Sequence, residues 1–330
     1  MSEFSVLSCT GKDAARWQSL IDRLPYENRD IMLTPAYARV QQALDQGECF
    51  AAIYEWEGHF ILQPFVRRGQ GLGSFYGGGG PVYNHLGWVV APGPQLWLWF
   101  EQAFAEWRKQ NKISKEYVRL HPTMSGHQKS LLREAPIKLE PVREAVTVNI
   151  DLDDDALLHS FSRNRIRGVK DAIEAKVQVS PALSTAAFAE MYKKSLERLG
   201  ATEDWFYPQK VWDAYWTELG DEHLTVLMAS AGDGHLWPQL MVLHGYGRAY
   251  AHFLASDPLA APGITDKLYY ESMKYCRDVG CKTYFLGGGT TSEPADSLLA
   301  YKSGYSRARV PVYCYRREFA HADCPQALQA

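Results

Sequence analysis

Apolar residues recur every three to four positions in some stretches of this chain and cluster or alternate in others. The two rhythms separate helices from strands. Ala14, Trp17, Leu20, Ile21 and Leu24 share one helical face over residues 13–24, and Pro25 closes that helix. Thr34-Pro35 reads as an N-cap followed by proline at the first helical position, opening a helix through Leu44. Residues 49–56 and 59–66 are apolar runs around Glu57-Gly58, the pattern of a hairpin. An aromatic helix over 95–111 carries Leu96, Phe100, Phe104 and Trp107, and strands follow at 117–120 and 146–150.

Asp151, Asp153, Asp154 and Asp155 then punctuate the chain and suit a helix start, where acidic side chains meet the positive end of the helix dipole. Helices are predicted over 155–176, 185–199 and 208–219, and strands over 224–230, 236–246 and 249–255. A helix over 266–279 and a buried-type strand over 283–286 complete the pattern. Each half places helices first and strands after, which predicts a duplicated α+β unit.

Composition narrows the function classes. An apolar share of 46% over 330 residues supports a packed protein of two domains. A net charge of −3 removes any whole-molecule attraction to nucleic acid, so such a contact must be local. Six cysteines without a CxxC pair read as reduced, structural thiols of a cytoplasmic protein. The N-terminus lacks the basic and apolar regions of a signal peptide. The apolar region 86–104 is interrupted by Pro92-Gly93-Pro94, so no membrane span is predicted.

The stretch 282–305 draws attention for chemistry. A strand ends at Gly287-Gly288-Gly289, a polar loop follows, and Tyr301-Lys302 comes next. Glycines here let the loop turn and a substrate approach the backbone, Gly288 among them. Lys302 reads equally as a solvated surface charge. Arg68-Gly69-Gln70-Gly71-Leu72-Gly73 fits a pyrophosphate-loop spacing, but the glycines run into Ser74-Phe75-Tyr76-Gly77, which cannot open the helix such a loop needs. Gly263-Ile264-Thr265-Asp266 does open a helix, either as an anion site or as an ordinary cap. Arg163, Arg165, Arg167 and Lys170 form one acid-free basic segment, and Lys302, Arg307, Arg309, Arg316 and Arg317 lie in a second. Both could meet a phosphate-rich ligand, and both could be solvated faces. Ten scattered histidines include no HExxH, and no G-x-S-x-G occurs, so neither a zincin nor an α/β-hydrolase is supported. His244 and His252 lie on consecutive predicted strands and could face one groove, or be hydrogen-bonded in the core.

Residues 250–256 (YAHFLAS), 284–289 (YFLGGG) and 299–304 (LAYKSG), with the helix over 266–279, resemble the FemABX family within the GNAT superfamily. So do residues 33–37 (LTPAY), 63–65 (QPF) and the glycine stretch ending Gly80-Pro81. The resemblance implies an α+β fold of two tandem GNAT-like domains, mixed sheets flanked by helices. Their bounds would be 1–149 plus 316–330, and 150–315. It implies transfer of an amino acid from aminoacyl-tRNA to an amine of a peptide-type acceptor, with no cofactor and a monomeric chain. The family's aromatic-lysine pair falls on Tyr301 and Lys302, and no long coiled-coil insertion is present, as in compact FemX-like members. The chain departs from the family at 37–41, where Tyr37 stands in the region that holds a nucleotide-muramyl substrate.

Ester aminolysis runs downhill, so such an enzyme must orient a neutral amine and stabilise a tetrahedral oxyanion. Lys302 is the candidate for the positive charge there, and Tyr301 shapes the site. His252, Ser256, Arg198, Gly288 and Tyr37 are candidate substrate contacts. Arg163, Arg165, Arg167, Lys170, Arg307 and Arg309 are candidate tRNA contacts. An acyl-CoA-dependent N-acyltransferase and a non-catalytic peptide or glycan binding module are the rival readings.

Overall fold

The hairpin at Glu57-Gly58 forms as its sequence dictates: both central residues take positive φ, as a tight two-residue turn needs. Trp56 faces His59 across it, and the register runs on to Glu48 and Arg67. In this computed structural model the described residues are 2–45, 47–84, 93–132, 137–182, 184–230, 238–256, 263–291, 293 and 295–319. The chain divides into two compact units, Met1–Val142 with Val312–Ala330, and Arg143–Pro311.

The first unit runs β1 (Ser2–Ser8), α1 (Gly11–Arg23), α2 (Pro35–Asp45), β2 (Glu48–Trp56), β3 (His59–Arg68), β4 (Gly71–Gly73), β5 (Val82–Tyr83), α3 (Gly93–Gln110), β6 (Lys115–Arg119) and α4 (Ser125–Leu132). The chain then passes along β7 (Glu140–Asn149) to α5 (Asp154–His159), α6 (Arg163–Glu174), β8 (Gln178–Pro181), α7 (Thr185–Leu199) and α8 (Gln209–His223). There follow β9 (Leu224–Ser230), β10 (Gln239–Gly245), β11 (Arg248–Ala255), α9 (Ile264–Asp278), β12 (Thr283–Gly288), α10 (Ser297–Lys302) and β13 (Arg309–Glu318).

The strand order in the first unit is β1-β2-β3-β4-β6-β13, with β5 beside β3. In the second it is β8-β9-β10-β11-β12-β7. Each order holds one parallel pair, β4–β6 or β11–β12, and a helix, α3 or α9, joins its two strands. The remaining pairs are antiparallel. With the two-residue β5 set aside, the pattern strand, two helices, three strands, helix, strand occurs twice, which is the duplication expected from the sequence.

Aromatic residues fill the first unit's core. Phe65, Trp97, Phe100, Phe104 and Tyr315 are fully buried there, and each such side chain contributes about 2 kcal/mol. Val146, Leu240, Val242, Met273 and Tyr284 anchor the second core. Five cysteines are buried and unbridged, and Cys324 lies outside the described residues. Among the described residues no helix is long and apolar enough to cross a membrane.

Several elements depart from expectation. The helix expected over 155–176 is two helices, because the Ser162 N–H turns away to the Gly304 carbonyl (2.7 Å). Strands β1, β8 and β13 and helix α4 were not anticipated; β1 and β8 are outermost in their strand orders and carry weak apolar patterns. As expected, the Arg68–Gly73 glycines open no helix: the segment is a hairpin in which Arg68 pairs with Gly71 across Gly69-Gln70.

His244 and His252 do not share a groove. His244 meets the Thr225 hydroxyl (2.9 Å) and the Tyr275 ring of α9, whereas His252 meets the Tyr215 hydroxyl of α8 (2.6 Å). Burial pushes His244 down to about 4, so the unfolded chain binds its proton first as pH falls below the ordinary histidine value near 6.5. Stability from this group is therefore expected to fall by about 1.4 kcal/mol per pH unit between pH 6.5 and about 4. Urea melts across that window should show a shallower pH slope in His244→Gln; an unchanged slope would remove His244 from the acid transition.

Candidate active site

The parallel ladder of β11 and β12 is short: Arg248 faces Thr283, Ala249 faces Tyr284 and Tyr250 faces Phe285. Both strands run on past that point, β11 to Ala255 and β12 to Gly288, with no further pairing between them. Each bends there for a local reason. On β11 an extra residue, His252, intrudes between the pairs Ala251–Val242 and Phe253–Met241. On β12 Leu286 intrudes between Phe285–Thr147 and Gly287–Val146. A bulge bends its strand and tightens the twist, and with one on each strand β11 and β12 part just past their last shared pair. They part at the carboxyl ends of a parallel pair, where α/β sheets commonly hold ligands.

The first unit has the equivalent place and fills it with its own chain. After β4, Gly79 donates to the Arg119 carbonyl (2.7 Å) and bridges Leu120. A Cβ on Gly78, whose φ is +135°, would lie 2.8 Å from the Leu120 oxygen, so only glycine lets this segment close the gap. At β11–β12 the corresponding segment, residues 257–262 after β11, lies outside the described residues.

Lys302 stands at the end of β12. Its ammonium donates to the Gly288 carbonyl at the end of β12 (2.8 Å). Burial lowers its pKa to about 8, the nearby Asp296 charge opposes that shift, and Arg143 adds to it. The last glycines of β12 are strand residues, not the loop the sequence predicts: Gly287 and Gly288 pair with Val146 and Ala145. Gly287 has φ +77°, and a Cβ on it would crowd the Lys302 Nζ at 3.3 Å, so glycine is needed twice over.

Asp296 holds this arrangement. It caps α10 by accepting from the Leu299 N–H (2.8 Å), and its other oxygen takes the Thr290 hydroxyl and the Thr291 N–H. The Leu299 N–H, followed by the other donors, keeps its carboxyl well below the usual range, so it stays charged at any working pH. Arg143 secures the same loop through the Gly289 carbonyl (3.2 Å). An aspartate three residues before Leu299 is a legible cap signal that the sequence reading passed over.

Tyr301 points the other way. It donates to Asp266 on α9 (3.2 Å), beside Tyr305, which does the same at 2.5 Å. Burial, reinforced by Asp266, pushes Tyr301 up to about 12, so it stays a neutral donor. Arg165 completes the cluster, 2.7 Å from Asp266 and 4.2 Å above the Tyr301 ring. Tyr301 thus positions α10 and Lys302.

The other candidate residues divide in place. Ser256, just past β11, meets Arg198 (2.9 Å) and Ser195 (3.2 Å) of α7, so this trio gathers at the β11 side. His252, in the bulge, is pushed down to about 3 by burial and is therefore neutral. Tyr37 is not among them: it lies in the first unit, fully buried, and gives its hydroxyl to the Tyr76 carbonyl. Arg163, Arg167 and Lys170 lie exposed on α6, while Arg165 turns inward to Asp266. Arg307 is exposed, and Arg309 pairs with Glu144 (2.8 Å).

The start of α9 packs tightly on α6, and residues 257–262 before it, Pro262 of the candidate loop among them, lie outside the described residues. A Cβ on Gly263 would lie 2.1 Å from the Gly168 carbonyl oxygen of α6, and the Asp266 carboxylate occupies the first turn. Among the described residues no three His, Cys, Asp or Glu side chains are grouped to hold a metal ion.

No protein-family model matches the sequence, and none of the curated proteins does. Solved structures match over nearly the whole chain. FemX aligns with a TM-score of 0.69 at 13% identity, covering 93% of this chain and 96% of its own. L-PGS from Bacillus licheniformis aligns at 0.61 and 13% identity, covering 96% and 94%. A tandem GNAT protein from the clavulanic acid biosynthesis pathway aligns at 0.58 and 9% identity, covering 98% and 100%. At such identities the likeness concerns architecture, and it agrees with the repeated strand order: this chain has the FemABX-like fold of two tandem GNAT units.

Proposed function

We propose that the chain is an aminoacyltransferase that moves an amino acid from aminoacyl-tRNA to an amine of a peptide-type acceptor. The observation that carries this reading is Lys302, with its pKa lowered to about 8, at the end of β12 where its pairing with β11 has stopped. The acceptor amine attacks the ester carbonyl, forming the C–N bond. The tetrahedral oxyanion collapses, the C–O bond to the ribose breaks, and the amine's proton ends on the ribose oxygen. A desolvated ammonium serves both moments: its charge offsets the oxyanion, and its acidity suits a proton donor to the leaving oxygen. Exposed Arg163, Arg167, Lys170 and Arg307 supply local positive charge for the RNA backbone.

The acyl-CoA alternative needs an open phosphate cradle. The Arg68–Gly73 glycines form a hairpin with no helix after it, and Gly263 at the start of α9 is packed against Gly168, so neither described segment favours it. Labelled aminoacyl-tRNA and labelled acetyl-CoA, offered with the same amine, test the proposal. Label is expected to move from tRNA; transfer from acetyl-CoA alone, or from neither donor, overturns it. Donor affinity should also fall steeply with salt, and a flat response would exclude the basic α6 face.

A further inference from the structure

We propose that the first unit carries a second binding site, a groove for an organic oxyanion, phosphate ester or carboxylate, on an apolar body. The groove lies on one face of β4, β6 and β13 and encloses about 600 Å³, the size of a small-molecule site. Strand register fixes its floor in two rows. Gly71, Lys115 and Glu318 form one, and Gly73, Tyr117 and Arg316 the other.

The glycines are what hollow it. A Cβ on Gly73 would lie 2.8 Å from the Arg68 guanidinium, and one on Gly71 would lie 3.3 Å from the Lys115 side chain. Both cations therefore lie along bare backbone where a side chain would otherwise stand. Arg68 is paired with Asp45 (2.8 Å) and Arg316 with Glu140 (2.9 Å). Arg317 belongs to the opposite face and its charge is met by Glu101 and Glu116. Lys115 has no ion pair among the described residues and is exposed. Arg119, two residues beyond Tyr117 on the same face of β6, lines the groove as well, and a guanidinium there suits an oxyanion. Tyr117, with the Arg316 guanidinium 5.1 Å from its ring centre, offers the flat apolar wall for the rest of the ligand.

The site is independent of the transferase reading, because its test reads binding and not turnover. The full-length chain is titrated calorimetrically with phenyl phosphate and, separately, with benzoate, at low and high salt. At least one is expected to bind with a dissociation constant below about 1 mM and to weaken with salt. Which anion binds more tightly assigns the oxyanion. Lys115→Gln with Arg119→Gln should weaken binding at least about tenfold. Gly73→Leu keeps every charge, fills the floor and should weaken binding to a similar degree. Failure of both probes to bind, or binding that survives both sets of substitutions, overturns the proposal.

Discussion

Replacing Lys302 by methionine is expected to lower kcat/KM for aminoacyl transfer by about a hundredfold while leaving the fold in place. Methionine keeps most of the lysine stem and so fills the same space beside Gly287 and α10. What is lost is the charge at the β12 end, and one such electrostatic group typically supplies about 3 kcal/mol of transition-state stabilisation. The hydrogen bond to the Gly288 carbonyl is lost too, at a stability cost of about 1 kcal/mol. The pH profile separates a catalytic charge from a structural one. A lysine whose pKa is lowered to about 8 loses its charge as pH rises through that value. If the charged form works, kcat/KM must decline above pH 8. Lys302→Arg keeps its charge in that range, so its residual activity should show no such decline. Full activity in Lys302→Met, or an alkaline limb that survives unchanged in Lys302→Arg, would remove Lys302 from the chemistry.

What the sequence could reveal about this site follows from how local each feature is. The hairpin at Glu57-Gly58, the helix opened by Thr34-Pro35 and the strand over 224–230 all depend on neighbours a few residues away, and all are present where the pattern put them. The strand at 283–286 was legible as a strand, but its extension through Gly288 was not, because the bulge at Leu286 is imposed by pairing with β7. Outer strands such as β8, exposed along most of its length, bury too little to leave a pattern. The break at Ser160–Ser162 depends on a carbonyl at Gly304, far along the chain. The same distance hid the direction of Arg165. In sequence it is one of four cations on α6, and only its pairing with Asp266, on another helix, takes it out of the exposed basic face.

The different use of glycine in the two units was the least legible feature and bears most on function. Both halves are glycine-rich after the first strand of their parallel pair or within the second, so composition does not separate them. One set of glycines lets the backbone at Gly78-Gly79 close against Arg119 and Leu120. The other, at Gly287-Gly288, leaves room for a lysine head. Glycine is used in one unit to bring backbone against backbone and in the other to seat an ammonium beside a strand end. The second arrangement puts a cation at the end of β12, and the proposed chemistry rests on that cation.

Removing Asp266 should damage that unit's stability and, through it, the position of Lys302. The carboxylate is 6% exposed and serves Arg165, Tyr301 and Tyr305 at once. In Asp266→Ala the Arg165 charge is left half-buried without its counterion, and two buried phenols lose their acceptor. Breaking a buried pair in this way typically costs 3–5 kcal/mol, roughly 10 °C in Tm for a unit of this size. Tyr301 and Tyr305 flank Lys302, so below the melting transition kcat should fall while donor affinity holds. Gly168→Ala tests the same cluster without deleting any polar group, since its Cβ would lie 2.1 Å from the Asp266 carboxylate and force it aside. Tyr305→Phe removes one donor of three and should cost about 1 kcal/mol, leaving the charge pair intact. The order Asp266→Ala worst, Gly168→Ala next and Tyr305→Phe mildest is what a shared carboxylate requires. Equal melting temperatures for Asp266→Ala and the parent chain would mean that the cluster does not hold α10, and Lys302 would then need another support.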